Sequence, residues 1–268
     1  MNNKTLVIIS GVSASIGQEI LKKYLLEQDT LIYGITRKGV NLDDLSVLPD
    51  HHLAVKVDLN SSDSITEFIN KIPKNQYKKI NYFHSVGEFK TEINENLELV
   101  IENDINNDGI DDKVFGLVAG AYKDMVSGLN NLSKECNCEF NVTSFGSLAD
   151  EHDIECFTSF RKSRKIVEAF SNEIHAGNPN ANIYLFHTST ILSADELIER
   201  PYIFATHVNP VYWITPTELV KKAIGFMELE KGIVKKDIYL SNPNFSTDYF
   251  DNDITYKRRV KELYNKTI

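Results

Sequence analysis

The sequence predicts an α/β protein: one doubly wound parallel sheet with helices on both faces, in a single domain over residues 1–268. Three observations lead there. Short β-branched runs such as Leu6-Val7-Ile8-Ile9 have the continuous apolar character of strands buried on both faces. Segments of helical periodicity lie between such runs, and strands alternating with helices form parallel sheets covered on both sides. A glycine-bearing turn, Gly11 to Gly17, joins the first strand to the first helix.

The elements follow in order. After Leu6–Ile9 and the turn, Gln18 to Gln28 carries Ile20, Leu21, Tyr24 and Leu25 at helical spacing. Leu31 to Ile35 is the second strand, ending at Thr36-Arg37-Lys38, which completes a βαβ unit. His52 to Val57 reads as a strand ending at Asp58, Ser64 to Ile72 as a helix, and Ile80 to His84 as a strand stopped by Ser85-Val86-Gly87. Residues 88–112, rich in Asn, Asp and Glu, show no period. Lys113 to Leu132 is a long helix, Glu139 to Thr143 a strand, Ser159 to Ala176 a helix and Ile183 to Phe186 a strand. Thr217 to Met227 is a helix, and Asp237 to Leu240 the last strand. Between them, 192–214 is an aromatic-rich insert holding Tyr202, Phe204 and Trp213. A long loop at a strand's carboxyl edge is expected to cover a substrate pocket; a surface subdomain packed on its own aromatics is the alternative.

Composition closes off several classes. The chain is 42% hydrophobic, with 13 Gly and 7 Pro, too apolar for disorder and too poor in glycine and proline for a fibrous chain. No apolar stretch approaches the ~18 residues of a spanning helix, and the N-terminus lacks the plan of a signal peptide. A net charge of −9 argues against a nucleic-acid partner. Three cysteines make no disulfide framework and suit a cytoplasmic protein. Cys136-x-Cys138 would be half a metal site, but no second pair completes it and the histidines show no ligand spacing, so no metal is expected.

Ligands of open parallel sheets bind beyond the strands' carboxyl ends, at the topological switch point. Gly11-x-x-x-Ser15-Ile16-Gly17 falls there, where a tight turn and a helix N-terminus favour a pyrophosphate. No Gly-Lys-Ser/Thr follows, so it is not a P-loop. Gly11-x-Ser13-x-Ser15 approaches the nucleophile-elbow pattern but lacks its last glycine.

On these residues the chain resembles the short-chain dehydrogenase/reductase family, whose first motif is Thr-Gly-x-x-x-Gly-x-Gly. Ser10-Gly11 and Ile16-Gly17 match it, while Ser15 replaces the middle glycine. The resemblance implies a Rossmann-type fold with Gly11, Ser13, Ser15, Ile16 and Gly17 on the cofactor diphosphate, Asp58 on the adenine, and Gly87 as the remnant of an Asn-Ala-Gly motif. Arg37 and Lys38 end the second strand where an acid would select NAD(H); two cations favour NADP(H), unless they are merely solvated.

The family's chemistry uses Asn, Ser, Tyr and Lys. The resemblance places Ser144 at the serine, with Ser147, thirteen residues before Phe160, as a rival. It places Phe160 and Arg164 at the Tyr-x-x-x-Lys pair and Lys113 at the asparagine. No tyrosine occurs between Ser144 and Ile183, so the loss of the family's general acid does not depend on the alignment. Arg164 is expected to hold the nicotinamide ribose without shuttling protons, and water, Lys113 or a tyrosine of the insert such as Tyr202 to stand in as proton donor. Phe160→Tyr is then expected to raise any reductase rate. His187, at a strand end, is either an acid or a structural histidine. The expected function is an atypical NADP(H)-dependent oxidoreductase acting on a small carbonyl or activated alkene. The alternative is an NADP(H)-binding pseudoenzyme, a sensor or partner subunit; a non-redox enzyme of the same fold is a third reading. Phe160, Val167, Phe170 and Ile174 on one helix imply a homodimer or homotetramer.

Overall fold

A computed structural model describes residues 4–37, 39, 52–74, 77–87, 92, 98–147, 150, 157–188, 191 and 214–238. Lys38, Cys156, Tyr202, Trp213 and all of the 192–214 insert except Ile214 lie outside them.

The first strand β1 (Lys4–Ser10) leads into α1 (Ser15–Tyr24) and β2 (Thr30–Thr36). Then come β3 (His52–Lys56), α2 (Ser62–Lys71) and β4 (Tyr77–His84). A continuous helical run follows, made of α3 (Asp112–Phe115), a π-turn (Gly116–Gly120) and α4 (Ala121–Cys136). The chain continues through β5 (Glu139–Ser147), α5 (Thr158–Gly177), β6 (Ala181–Thr188), α6 (Pro216–Leu229) and β7 (Ile233–Ile238).

The seven strands form one parallel sheet in the order β3-β2-β1-β4-β5-β6-β7. The order reverses between β1 and β4, which sets a crevice beyond Ser10 and His84. Alternation along β1 fills both faces. Leu6 and Ile8 join the core under α2, α4 and α5, and Val7 and Ile9 join the core under α1 and α6. This is the doubly wound single domain that the sequence predicts.

Element boundaries differ where chemistry overrode periodicity. α1 begins at Ser15 rather than Gln18 and stops at Tyr24 rather than Gln28. β7 begins at Ile233, four residues before the expected strand, and is an edge strand with Val234 and Ile238 buried. Lys235, Lys236 and Asp237 broke the apolar run that sequence reading sought. The apolar surplus on α5 also has a local explanation. Phe160 and Val167 are buried by their own chain, and Phe170 and Ile174 pack on the core. Its outward positions include Lys162, Lys165, Ala169 and Asn172.

The stretch 98–111 is a loop held by its own carboxylates. Asp104 accepts from the N–H groups of Asp108 (3.0 Å) and Gly109 (2.9 Å), and Lys162 on α5 donates to the carbonyls of the same two residues. The Asp111 N–H donates to Ser159 Oγ (2.7 Å), whose hydroxyl in turn donates to buried Glu92. The loop is thereby fastened to the start of α5. Among the described residues no helix is long and apolar enough to cross a membrane, and no group of three His, Cys, Asp or Glu could hold a metal ion.

Candidate nucleotide site

At the end of β1 the chain turns sharply. Gly11 has φ +79°, a left-handed conformation that side chains resist, and a Cβ there would stand 2.7 Å from Val86 Cγ1. The N–H groups of Gly11 and Val12 donate to the Ile35 carbonyl, which pins the turn to β2. Gly17 is needed for a different reason: a Cβ would run into the Gly11 carbonyl oxygen and the Val12 backbone, so glycine lets α1 start directly against the turn. Its N-cap is Ala14, which supplies no side-chain acceptor, and the first turn holds no acid. The helix therefore begins with its amides uncapped, open to an anion.

Beyond this turn runs a groove of about 420 Å³, within the range of ligand clefts. Gly11, Ser13, Thr36, Arg37, Asp58 and Asn60 line it, and it ends at Gly87 and Leu117. Ser13 and Ala14 form its wall; Ser15 is half-buried on the helix, and Ile16 packs on the core beneath α1. Ser13 Oγ lies 3.5 Å from Thr36 Oγ1 at the lip, and Arg37 is exposed beside them. Asp58 is exposed and accepts from the Asn60 N–H (3.0 Å), which presents its carboxylate at the far end. Across the groove, Ser85 donates through Oγ to the Ser10 carbonyl (2.5 Å) and closes the gap between β1 and β4.

The residues at the family's catalytic places are arranged differently from the expectation. Ser144 and Arg164 do meet, but inside the protein. Arg164 Nη1 donates to Ser144 Oγ at 2.6 Å, and its Nε donates to Asp150 Oδ2 at 3.1 Å. Ser144 is fully buried, and the side chains of Arg164 and Asp150 are 5% and 4% exposed. Asp150 also accepts from the Ser147 N–H (3.1 Å) and lies 3.7 Å from His187 Nδ1. A Cβ on Gly146 would strike both the guanidinium and the Asp150 carboxylate, so the ion pair lies flat on the β5 backbone. The expectation that Arg164 holds a ribose gives way to this pairing, because an arginine buried in the core needs its carboxylate. Phe160 is buried in a small apolar cluster with Val114 and Val118 at the groove's end, its ring 3.8 Å from where a Cβ on Gly87 would stand. Lys113 is exposed on α3. Tyr202 and Lys38 lie outside the described residues.

Sequence reasoning missed a buried polar chain beneath the site. Ser10 Oγ pairs with Tyr82 OH (3.0 Å), and Tyr82 OH with His84 Nδ1 (2.8 Å). The His84 ring stands edge-on to Tyr122, and its other side meets the backbone of Leu117 and Val118 in the π-turn. Burial first, and then the Arg164 charge, push His84 down to about 3, so the ring is neutral. Burial pushes Tyr122 up to about 12 and raises Tyr82 well above the usual phenol range. Burial raises Tyr24, Tyr33 and Tyr184 as well. Asp150 and Tyr82 carried no sequence signal: one is the first of four acids between positions 150 and 155, the other an aromatic residue in an aromatic strand.

No protein-family model matches the sequence, and no curated protein is similar to it. Solved structures are similar in fold. Serine dehydrogenase from Escherichia coli superposes with a TM-score of 0.64 at 12% identity, over 90% of this chain and 100% of that one. An alcohol dehydrogenase from the archaeon Thermococcus sibiricus, complexed with 5-hydroxy-NADP, gives the same TM-score, identity and coverage. A 4-hydroxyisoleucine dehydrogenase complexed with NADH gives a TM-score of 0.65 at 15% identity, over 87% of this chain and 97% of that one. At such identities the likeness is one of fold.

Proposed function

We propose that this chain is an NADP(H)-binding protein of the short-chain dehydrogenase/reductase family that lacks tyrosine-driven carbonyl reduction. The observation that carries the reading is the pair of substitutions at the catalytic helix: Phe160 sits in an apolar cluster, and Arg164 is committed to Ser144 and Asp150. A phenyl ring has no proton to give, and a guanidinium turned into the core neither holds a ribose nor lowers a neighbour's pKa at the groove.

The adenylate half of the cofactor suits the residues present. Gly11, Gly17 and the uncapped start of α1 make the cradle that a diphosphate needs. Asp58 and Asn60 stand where the adenine would lie, with Ser13, Thr36 and Arg37 around the adenosine ribose. Neighbours of this fold hold both NADP-type and NADH cofactors, so the choice rests on Arg37, with Lys38 beside it in sequence. When bound, NADP(H) would supply a hydride donor or acceptor at its nicotinamide. On this reading the protein serves as a nucleotide sensor or partner subunit.

A second reading has one observation in its favour: Lys113 is exposed on α3, whose Val114 packs on Phe160. With Lys113 or Tyr202 as proton donor and the 192–214 insert over the pocket, the chain would be an atypical oxidoreductase of a small carbonyl or activated alkene. Absorbance of NADPH, followed in the presence of small aldehydes, ketones and enones, separates the two. The first reading expects no consumption above the protein-free rate. Brisk consumption abolished by Tyr202→Phe or Lys113→Ala would establish the second.

A further inference from the structure

The two halves of the proposed cofactor meet very different surroundings. The groove that takes the adenylate half pairs an apolar floor of Ile35, Val57 and Leu59 with the carboxylate, amide, hydroxyl and guanidinium groups of Asp58, Asn60, Ser13, Thr36 and Arg37. Past Gly87 and Leu117 the described side chains change character: Val118 and Phe160 flank Gly87, and Val114 backs them. Three polar side chains at the ends of β4 and β5 and on α5 are already engaged. Ser144 Oγ is held by Arg164 and fully buried, and Arg164 is held by Asp150 and Ser144. Ser85 Oγ is spent on the Ser10 carbonyl.

A nicotinamide riboside carries two hydroxyls and a carboxamide, all well hydrated in water. Placing them against this wall would strip water from them, with no described side chain to replace it. A polar group desolvated without a partner is penalised, which offsets what ring contact with Val118 and Phe160 contributes. A diphosphate at the head of α1 and an adenosine beside Asp58 carry no such penalty.

We propose that this site recognises the 2′-phosphoadenosine diphosphate moiety alone, so that nucleotides lacking nicotinamide are ligands equivalent to NADP. The proposal rests on the nucleotide-binding reading above and sharpens it: the ligand class becomes 2′-phosphorylated adenine dinucleotides and their nicotinamide-free fragments. It accounts for the joint loss of the tyrosine and the outward-facing cation, since both would serve only the half of the ligand that the site does not read.

The test is calorimetric titration of the full wild-type chain with three ligands: NADP⁺, 2′-phospho-ADP-ribose and nicotinamide mononucleotide. The expected result is that the first two dissociate with constants within about fivefold of each other, under 1 kcal/mol apart. Nicotinamide mononucleotide should give no heat of binding. NADP⁺ binding more than about fivefold tighter than 2′-phospho-ADP-ribose, or measurable binding of the mononucleotide, would overturn the inference and leave the nucleotide-binding reading standing. Absence of binding by all three would overturn both.

Discussion

Arg164 and Asp150 form a buried ion pair, and such pairs are asymmetric in their energetics. Removing one partner strands the other charge and typically costs about 3–5 kcal/mol, whereas replacing both with apolar side chains is often neutral. Arg164→Met should therefore lower the urea midpoint sharply, and adding Asp150→Leu should recover much of the loss. If the single and double variants are equally unstable, the pair is not the partner-for-partner arrangement described here.

His84 supports a pH prediction at the same scale. Its folded pKa, about 3, lies below the ordinary histidine value of 6.5, so under acid conditions the unfolded chain binds the proton and the folded one does not. This contribution leaves stability intact above about 6.5 and erodes it as pH falls towards 3. His84→Gln should flatten the stability profile across that window; an unchanged profile would place the acid sensitivity elsewhere. Phe160→Tyr, which sequence reasoning expects to raise a reductase rate, should leave NADPH unconsumed. Arg164 faces inward, and Val114 and Val118 offer a new hydroxyl no partner. Much at this scale was legible. Gly11 and Gly17 could be read from a turn's steric needs, and the missing tyrosine from the stretch between Ser144 and Ile183, which holds none. The inward turn of Arg164 could not, because it depends on Asp150, a residue whose neighbours in sequence say nothing of its neighbours in space.

Strands were legible because each is a short apolar run, and their register is reinforced by a feature that periodicity hides. Asn81, Asn141 and Asn182 stand opposite one another on β4, β5 and β6. Asn141 donates to Asn81 Oδ1 and Asn182 donates to Asn141 Oδ1, both at 2.9 Å, and the ladder ends at Tyr24 OH and the Gly232 N–H. A one-strand slip would strand three buried amides, so the ladder selects one pairing. Asn141→Ala should cost about 1–3 kcal/mol by leaving Asn81 Oδ1 without its donor. The check is a lowered urea midpoint with an unchanged m-value; a midpoint within error of wild type would show the ladder to be idle. The π-turn was invisible in sequence, since Lys113–Leu132 keeps a helical pattern through it. Only the placement of His84 against Leu117 and Val118 marks the irregular stretch. β7 was misplaced because Lys235, Lys236 and Asp237 interrupt its apolar run.

Seven parallel strands, with the order reversing between β1 and β4, decide where a ligand can bind, and that followed from the alternation of elements alone. What the sequence could not supply was the shape of the groove beyond Gly87. A homo-oligomer remains part of the proposal, although α5 uses most of its apolar side chains within its own chain. Light scattering at micromolar concentration should give the mass of two or four chains, and the mass of one would contradict it. We propose the groove as a site for 2′-phosphorylated adenine nucleotides read by Arg37. Parallel titrations of NADPH and NADH into wild type and Arg37→Ala test it most directly. NADPH should bind wild type about 1–2 kcal/mol more tightly, through charge-assisted contacts with the 2′-phosphate, and Arg37→Ala should remove most of that preference. Equal affinities for the two nucleotides, or a preference untouched by Arg37→Ala, would contradict it.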